Sequence, residues 1–128
     1  IRPWIFVLDT LRGYLDLMIA LNKNSIKYSE PWNFSLNKGD QISVNKLVNI
    51  IVRKYKINNK IIRMNKIGVK ESELLFLSNE KSKKILKWEP WLNINEAIDY
   101  TMEWYLAYLG GKNMNKFSEK QIINYFKH

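Results

Sequence analysis

Apolar and polar positions along this 128-residue chain switch repeatedly between short apolar runs and helical spacings. After Pro3, the run Ile5-Phe6-Val7-Leu8 reads as a buried strand. Asp9 or Thr10 is placed to cap the helix that follows. In that helix Leu11, Tyr14, Leu15, Met18 and Ile19 recur on one face, the expected core face. Gly13 weakens the helix without ending it, and Asn22-Lys23-Asn24-Ser25 ends it. Pro31-Trp32-Asn33-Phe34-Ser35 reads as a short strand opening into a turn at Asn37-Lys38-Gly39-Asp40.

Ser43 is the expected cap of a second helix. Its inward face is Val44, Leu47, Val48, Ile51 and Tyr55, widened by Ile50 and Val52, and Asn58-Asn59 breaks it. Ile61 to Met64 and Leu74 to Leu77 are candidate strands around a loop at Gly68. Asn79 to Leu86 reads as a short helix, stopped by Trp88-Glu89-Pro90-Trp91, because the residue before a proline disfavours helical backbone. Asn93 with Glu96 forms a capping-box pattern for a helix running to Leu109, ended by Gly110-Gly111. Ser118 with Gln121 repeats the pattern for a last helix with Ile122, Tyr125 and Phe126 inward. The order of elements predicts an α/β (α+β) fold, helix-rich, with short strands and about five helices in a single domain over residues 1–128.

Hydrophobic residues make up 46% of the chain and charged residues 26%, the balance of a soluble globular protein. There is no cysteine, and the single histidine, His128, is the last residue. Disulfides and thiolate metal sites are excluded, and a histidine base or ligand is not expected. The longest apolar runs fall short of the ~20 residues of a membrane span. Ile1-Arg2-Pro3-Trp4 lacks the charged and apolar regions of a secretion signal, so the expected location is cytoplasmic. With no initiator methionine, the chain is expected to begin inside a longer one. The formal charge of +9 suggests polyanionic partners, but the Lys, Asn and Ile usage of an AT-rich genome is the favoured explanation of it.

A few residues could carry chemistry. Arg2 precedes a strand and a helix start, where a guanidinium could help hold a pyrophosphate; a surface ion pair is the alternative. Asn33 points opposite to its aromatic neighbours and could bond a base or ribose edge, or its own turn. Lys70-Glu71 follows Gly68 on a charged loop that could touch a ligand or be solvated. Five tryptophans and seven tyrosines among basic residues could stack nucleobases, but Trp104, Tyr105 and Tyr108 have the spacing of core positions. Tyr108 and Lys112 spell Tyr-x-x-x-Lys, yet Gly110-Gly111 breaks the helix that this catalytic pair requires. No glycine-rich phosphate loop or nucleophile elbow is present, so the residues contain no catalytic set.

Several segments in order resemble the C-terminal part of the CDP-glucose 4,6-dehydratases, within the extended short-chain dehydrogenases. They are Arg2-Pro3-Trp4-Ile5-Phe6-Val7-Leu8 with Leu11-Arg12-Gly13-Tyr14-Leu15, then Pro31-Trp32-Asn33-Phe34. Glu71, Leu75, Leu77, Lys81, Leu86, Trp88 and Pro90-Trp91 follow, then Glu103-Trp104-Tyr105, and the tail Met114 to Phe117 with Gln121-Ile122 and Tyr125. The chain departs from the family pattern at Ser35-Leu36, Ser72, Ser78, Glu80 and Lys87. Lys87 stands where a left-handed glycine is usual, and Ser78 keeps a capping hydroxyl in place of a carboxylate.

The resemblance implies a parent lyase of deoxysugar biosynthesis for cell-surface polysaccharides. Its Rossmann domain binds NAD, which oxidises C4 of the sugar; water is then lost across C5 and C6 and the hydride returns to C6. The catalytic groups would lie in an N-terminal portion outside this chain, so the chain alone is expected to be inactive and to bind no NAD. Its implied partners are a CDP-sugar and the Rossmann domain, without membrane or nucleic acid. Arg2 would hold a nucleotide phosphate, Asn33 would meet the nucleotide or sugar, and Lys70 and Glu71 would sit on the loop closing over the nucleotide. A standalone basic nucleic-acid-binding domain and an α-rich interaction domain are the alternatives.

Overall fold

Val7 and Leu8 wind into a helix rather than a strand. In the computed structural model, which describes residues 2–57 and 76–127, Phe6 is extended, and its carbonyl then accepts from the amides of Asp9 and Thr10. Helix α1 thus spans Val7–Lys23, and Asp9 lies within its first turn rather than at its cap. Asn24 ends α1 and caps the single turn α2, Ser25–Tyr28, by accepting from Lys27 N at 3.0 Å.

The elements that local chemistry dictates follow in order. The Asn37–Asp40 turn closes with Asp40 N donating to Asn37 O at 3.2 Å, and Gly39 takes the positive φ. Ser43 caps α3, Val44–Tyr55, accepting from Lys46 N. A short helical segment then ends in a π-wound turn, Ser82–Leu86. Asn93 and Glu96 cap each other's backbone at the start of α4, Ile94–Leu109. The last helix, α5, spans Met114–Tyr125 and is capped by Asn113 rather than Ser118. Ser118 lies within α5, where its hydroxyl accepts from the Trp104 indole at 3.0 Å. Of the three residues expected inward on α5, Tyr125 is buried, while Ile122 and Phe126 are about half exposed.

Among the described residues the fold is helical, and the expected strands are absent. The β-type pairing present there is an isolated antiparallel bridge between Arg2 and Ile42. Pro31–Ser35 has no regular secondary structure and no ladder. Its carbonyls at 31, 33 and 35 accept instead from Lys81 Nζ, Ser82 Oγ and Asn79 Nδ2, so side chains of the π-wound segment and the turn before it replace a neighbouring strand. Ile61 to Met64, Leu74 and Leu75 lie outside the described residues; Phe76 and Leu77 are irregular and exposed.

The core gathers Phe6, Leu92, Ala97 and Tyr125, with Leu8 and Tyr100 packed against it. Helix α1 meets this interior with its polar arc, Asp9, Arg12, Gly13 and Ala20, all buried. The expected core face, Leu11, Tyr14, Leu15, Met18 and Ile19, is 46–59% exposed. Apolar spacing identified the helix and its two faces correctly, but not which of them this chain covers.

Candidate functional site

The two described residues of the proposed nucleotide site sit apart in their local bonding. Arg2 pairs its backbone with Ile42, whose carbonyl also accepts from the Trp4 indole at 3.2 Å. Asn33 is exposed on the Pro31–Ser35 strap, its carbonyl tied to Ser82. Lys70 and Glu71 lie outside the described residues. Neither Arg2 nor Asn33 lines the hollows described below, although each adjoins the polar one through the chain: Arg2 through its bridge to Ile42, Asn33 through Leu36 and Asn37.

The most constrained polar cluster was not singled out by its sequence pattern. Asp9 is fully buried, and its Oδ1 accepts from the Tyr125 hydroxyl at 2.7 Å and the Trp91 amide at 2.7 Å. The Arg12 guanidinium, one turn on, approaches the same oxygen at 3.9 Å. It donates through Nε to Tyr125 Oη at 3.2 Å, through a terminal nitrogen to Glu89 O, and to Asp16 at 3.4 Å. Its carbon also lies 4.1 Å from the centroid of the Trp91 ring. Asp9 Oδ2 has no hydrogen-bond partner among the described residues. Burial raises the Tyr125 phenol well above the ordinary tyrosine range; its bond to Asp9 raises it further, while Arg12 pulls it back. A signal for this cluster was present, since Asp9 and Arg12 are spaced i, i+3 and so share a helix face. Tyr125, distant in sequence, gave none.

The cluster fixes the corner at Trp88–Leu92, which walls a polar hollow of about 350 Å³. Asn37, Asp40, Lys46 and Asn93 supply its polar groups, and Ile42, Pro90 and Trp91 its apolar ones. The Asn95 and Glu96 amides at the start of α4 are already taken by the side chain of Asn93, which leaves fewer open donors there for an anion. An apolar hollow of about 250 Å³ lies between the start of α1 and helices α4 and α5. A third, of about 290 Å³, separates Trp4–Phe6 from α3 and α4. Across that seam Asp99 of α4 accepts from Lys54 Nζ at 2.6 Å and Tyr55 Oη at 2.7 Å.

The groups at these hollows are ones that could hydrogen-bond and orient a ligand. Tyr108 stacks on Trp104 with centroids 5.7 Å apart, while Lys112 lies over the Phe117 ring, so the Tyr-x-x-x-Lys spelling brings no phenol to an ammonium. Among the described residues no group of three or more His, Cys, Asp or Glu could hold a metal ion. At the start of α1 the buried Asp9 carboxylate lies in the first turn and no glycine precedes Gly13, so this helix start lacks the open, glycine-lined cradle that the pyrophosphate of NAD takes. No helix of the described residues is long and apolar enough to cross a membrane.

Over 125 residues, 98% of the chain, the sequence is 28% identical to the CDP-glucose 4,6-dehydratase of Salmonella typhimurium. The match takes in 35% of that protein, so the chain spans about a third of the length of the relative it resembles. No protein-family model matches the chain.

Proposed function

We propose that this chain is the substrate-side portion of a nucleotide-sugar 4,6-dehydratase-like protein, acting on a CDP-sugar together with a separate NAD-binding portion. The observation that carries the reading is the end-to-end similarity: 98% of the chain aligns with a dehydratase of this kind, and with a minor share of it. In this reading the chain supplies binding and positioning, and the oxidation and loss of water belong to the larger portion, in the cytoplasm. Arg2 holds a nucleotide phosphate, Asn33 meets the nucleotide or sugar, and Lys70 with Glu71 lies on the loop that covers them. The exposure of Asn33 and the backbone anchoring of Arg2 at Ile42 are compatible with these roles.

A chimera tests this directly. The chain replaces the matching third of the Salmonella enzyme, and CDP-glucose binding is followed by titration calorimetry alongside formation of the keto sugar. Binding is expected, weakened about 10- to 100-fold by Arg2→Ala, the effect of losing a charge-assisted phosphate contact. A folded chimera that ignores CDP-glucose, or binds it equally with and without Arg2, refutes the reading or the role of Arg2 respectively.

A further inference from the structure

Helix α1 carries an apolar stripe that the described residues leave about half exposed, although Tyr14 meets the Phe34 ring edge-on. Val7, Leu11, Tyr14, Leu15, Met18 and Ile19 fall within an arc of about 140° at helical spacing. Each is 46–59% exposed. The opposite arc is held to the interior by the Asp9–Arg12–Tyr125 bonds, so the helix cannot roll to bury the stripe without breaking them. At its first turn the stripe runs into the apolar hollow, since Val7 lines both. Phe6, Tyr100 and Trp104 line this hollow too, as do the half-exposed Tyr105 and Ile122. A straight apolar helix face beside a side-chain-sized hollow has the form of a helix-docking surface with an anchor pocket.

We infer that this surface docks the nucleotide-binding portion of the dehydratase-like protein, an apolar helix lying along α1 and one large apolar side chain filling the hollow beside Val7. The inference rests on the proposed function for the identity of the partner. Two observations select that occupant. The relative has nearly two thirds of its length beyond the match, so a large polypeptide is available. A second copy of this chain carries the same net charge of +9, which opposes self-association.

This chain has no cysteine, so an introduced thiol is the single one in the free chain, and labelling in the chimera is read on the peptide that carries it. A Met18→Cys chain and an Asn115→Cys control on the exposed side of α5 are treated with a maleimide, each as the free chain and within the chimera. The thiol at position 18 is expected to react at least about tenfold more slowly in the chimera, and the thiol at position 115 at one rate in both. Equal rates at position 18 in the two settings overturn the inference. So does slow, concentration-dependent labelling of the free chain, which assigns the face to a second copy. A separate measurement needs no chimera: the free chain should bind an apolar fluorescent dye, and Leu11→Asp with Leu15→Asp should remove most of that signal. Unchanged dye binding also overturns it. If the chimera protects position 18 but ignores CDP-glucose, the docking surface stands and the proposed substrate falls; the reverse result separates them the other way.

Discussion

The Tyr125 hydroxyl donates to the buried carboxylate of Asp9 at 2.7 Å, joining the last turn of α5 to the first turn of α1 across 116 residues of sequence. Both groups also meet Arg12, so this single contact closes a three-membered polar cluster around the Trp91 corner. Tyr125→Phe removes one bond to a carboxylate that already has one oxygen without a partner. The expected loss is ~1–3 kcal/mol in urea unfolding. Arg12→Met takes away the buried countercharge and should be worse, ~3–5 kcal/mol. The reverse ranking would show that the guanidinium serves only as a spacer for Trp91.

Gly13→Ala should destabilise the chain, against the usual helical preference for alanine. A Cβ at position 13 would lie 2.4 Å from Cδ1 of Phe34. That ring is held edge-on between Tyr14 and Trp88, at 5.6 and 4.9 Å between centroids, so it has little room to yield. Propensity alone predicts a gain of about 1 kcal/mol. Overpacking predicts a loss of ~1–3 kcal/mol, and this term should dominate. Adding Phe34→Leu should recover part of the loss; a stabilised Gly13→Ala chain would contradict the close approach.

Lys87→Gly should raise stability by ~0.5–1 kcal/mol. Lys87 ends the π-wound segment with φ of 56°, in the left-handed region. An L side chain there costs roughly 1–2 kcal/mol, partly offset because glycine gives the unfolded chain more freedom. The side chain is exposed, so little packing is lost with it. Thermal melts of the two chains under identical buffer would settle the sign.

The tie between α3 and α4 sets two pH limits. Burial opposes ionisation of Asp99, but the bonds from Lys54 and Tyr55 outweigh it and lower its pKa. A depressed carboxylate stabilises the fold above its unfolded pKa, and that stability is lost as pH falls through the folded value. Burial, then the bond to Asp99, pushes Tyr55 from 10.0 up to about 12. The folded chain therefore holds this proton more tightly, so its contribution is full below pH 10 and is lost as pH rises towards about 12. Asp99→Asn should flatten the acid limb of a stability–pH profile. Tyr55→Phe should remove a late step from the phenolate absorbance titration; retention of that step would assign it to another tyrosine.

Local chemistry was legible where one side chain meets a neighbouring backbone. The Ser43 cap, the Asn93–Glu96 box, the Asn37–Asp40 turn and the Gly110-Gly111 stop all stand where their sequences place them. What the sequence hid depends on distant partners. Ile5 to Leu8 had the composition of a strand, but the backbone finds its bonds within α1 instead. Pro31 to Ser35 reads as a strand but forms no ladder, and donors from Asn79, Lys81 and Ser82 take its carbonyls instead. Ser118 has the spacing of a cap, but its hydroxyl is engaged by Trp104. Of the proposed site, Asn33 and Arg2 were legible only as polar groups in suggestive places, because periodicity carries no information about which hollow a side chain will face.

Because α1 turns its charges inward and its oily side outward, fold strength and colloidal behaviour are decoupled in this chain. Replacing outward leucines with acids should keep preparations clear without moving the melting point. Replacing Asp9 or Arg12 should lower the melting point whatever the clarity. An engineer judging variants by yield alone would therefore be selecting on the wrong side of the helix.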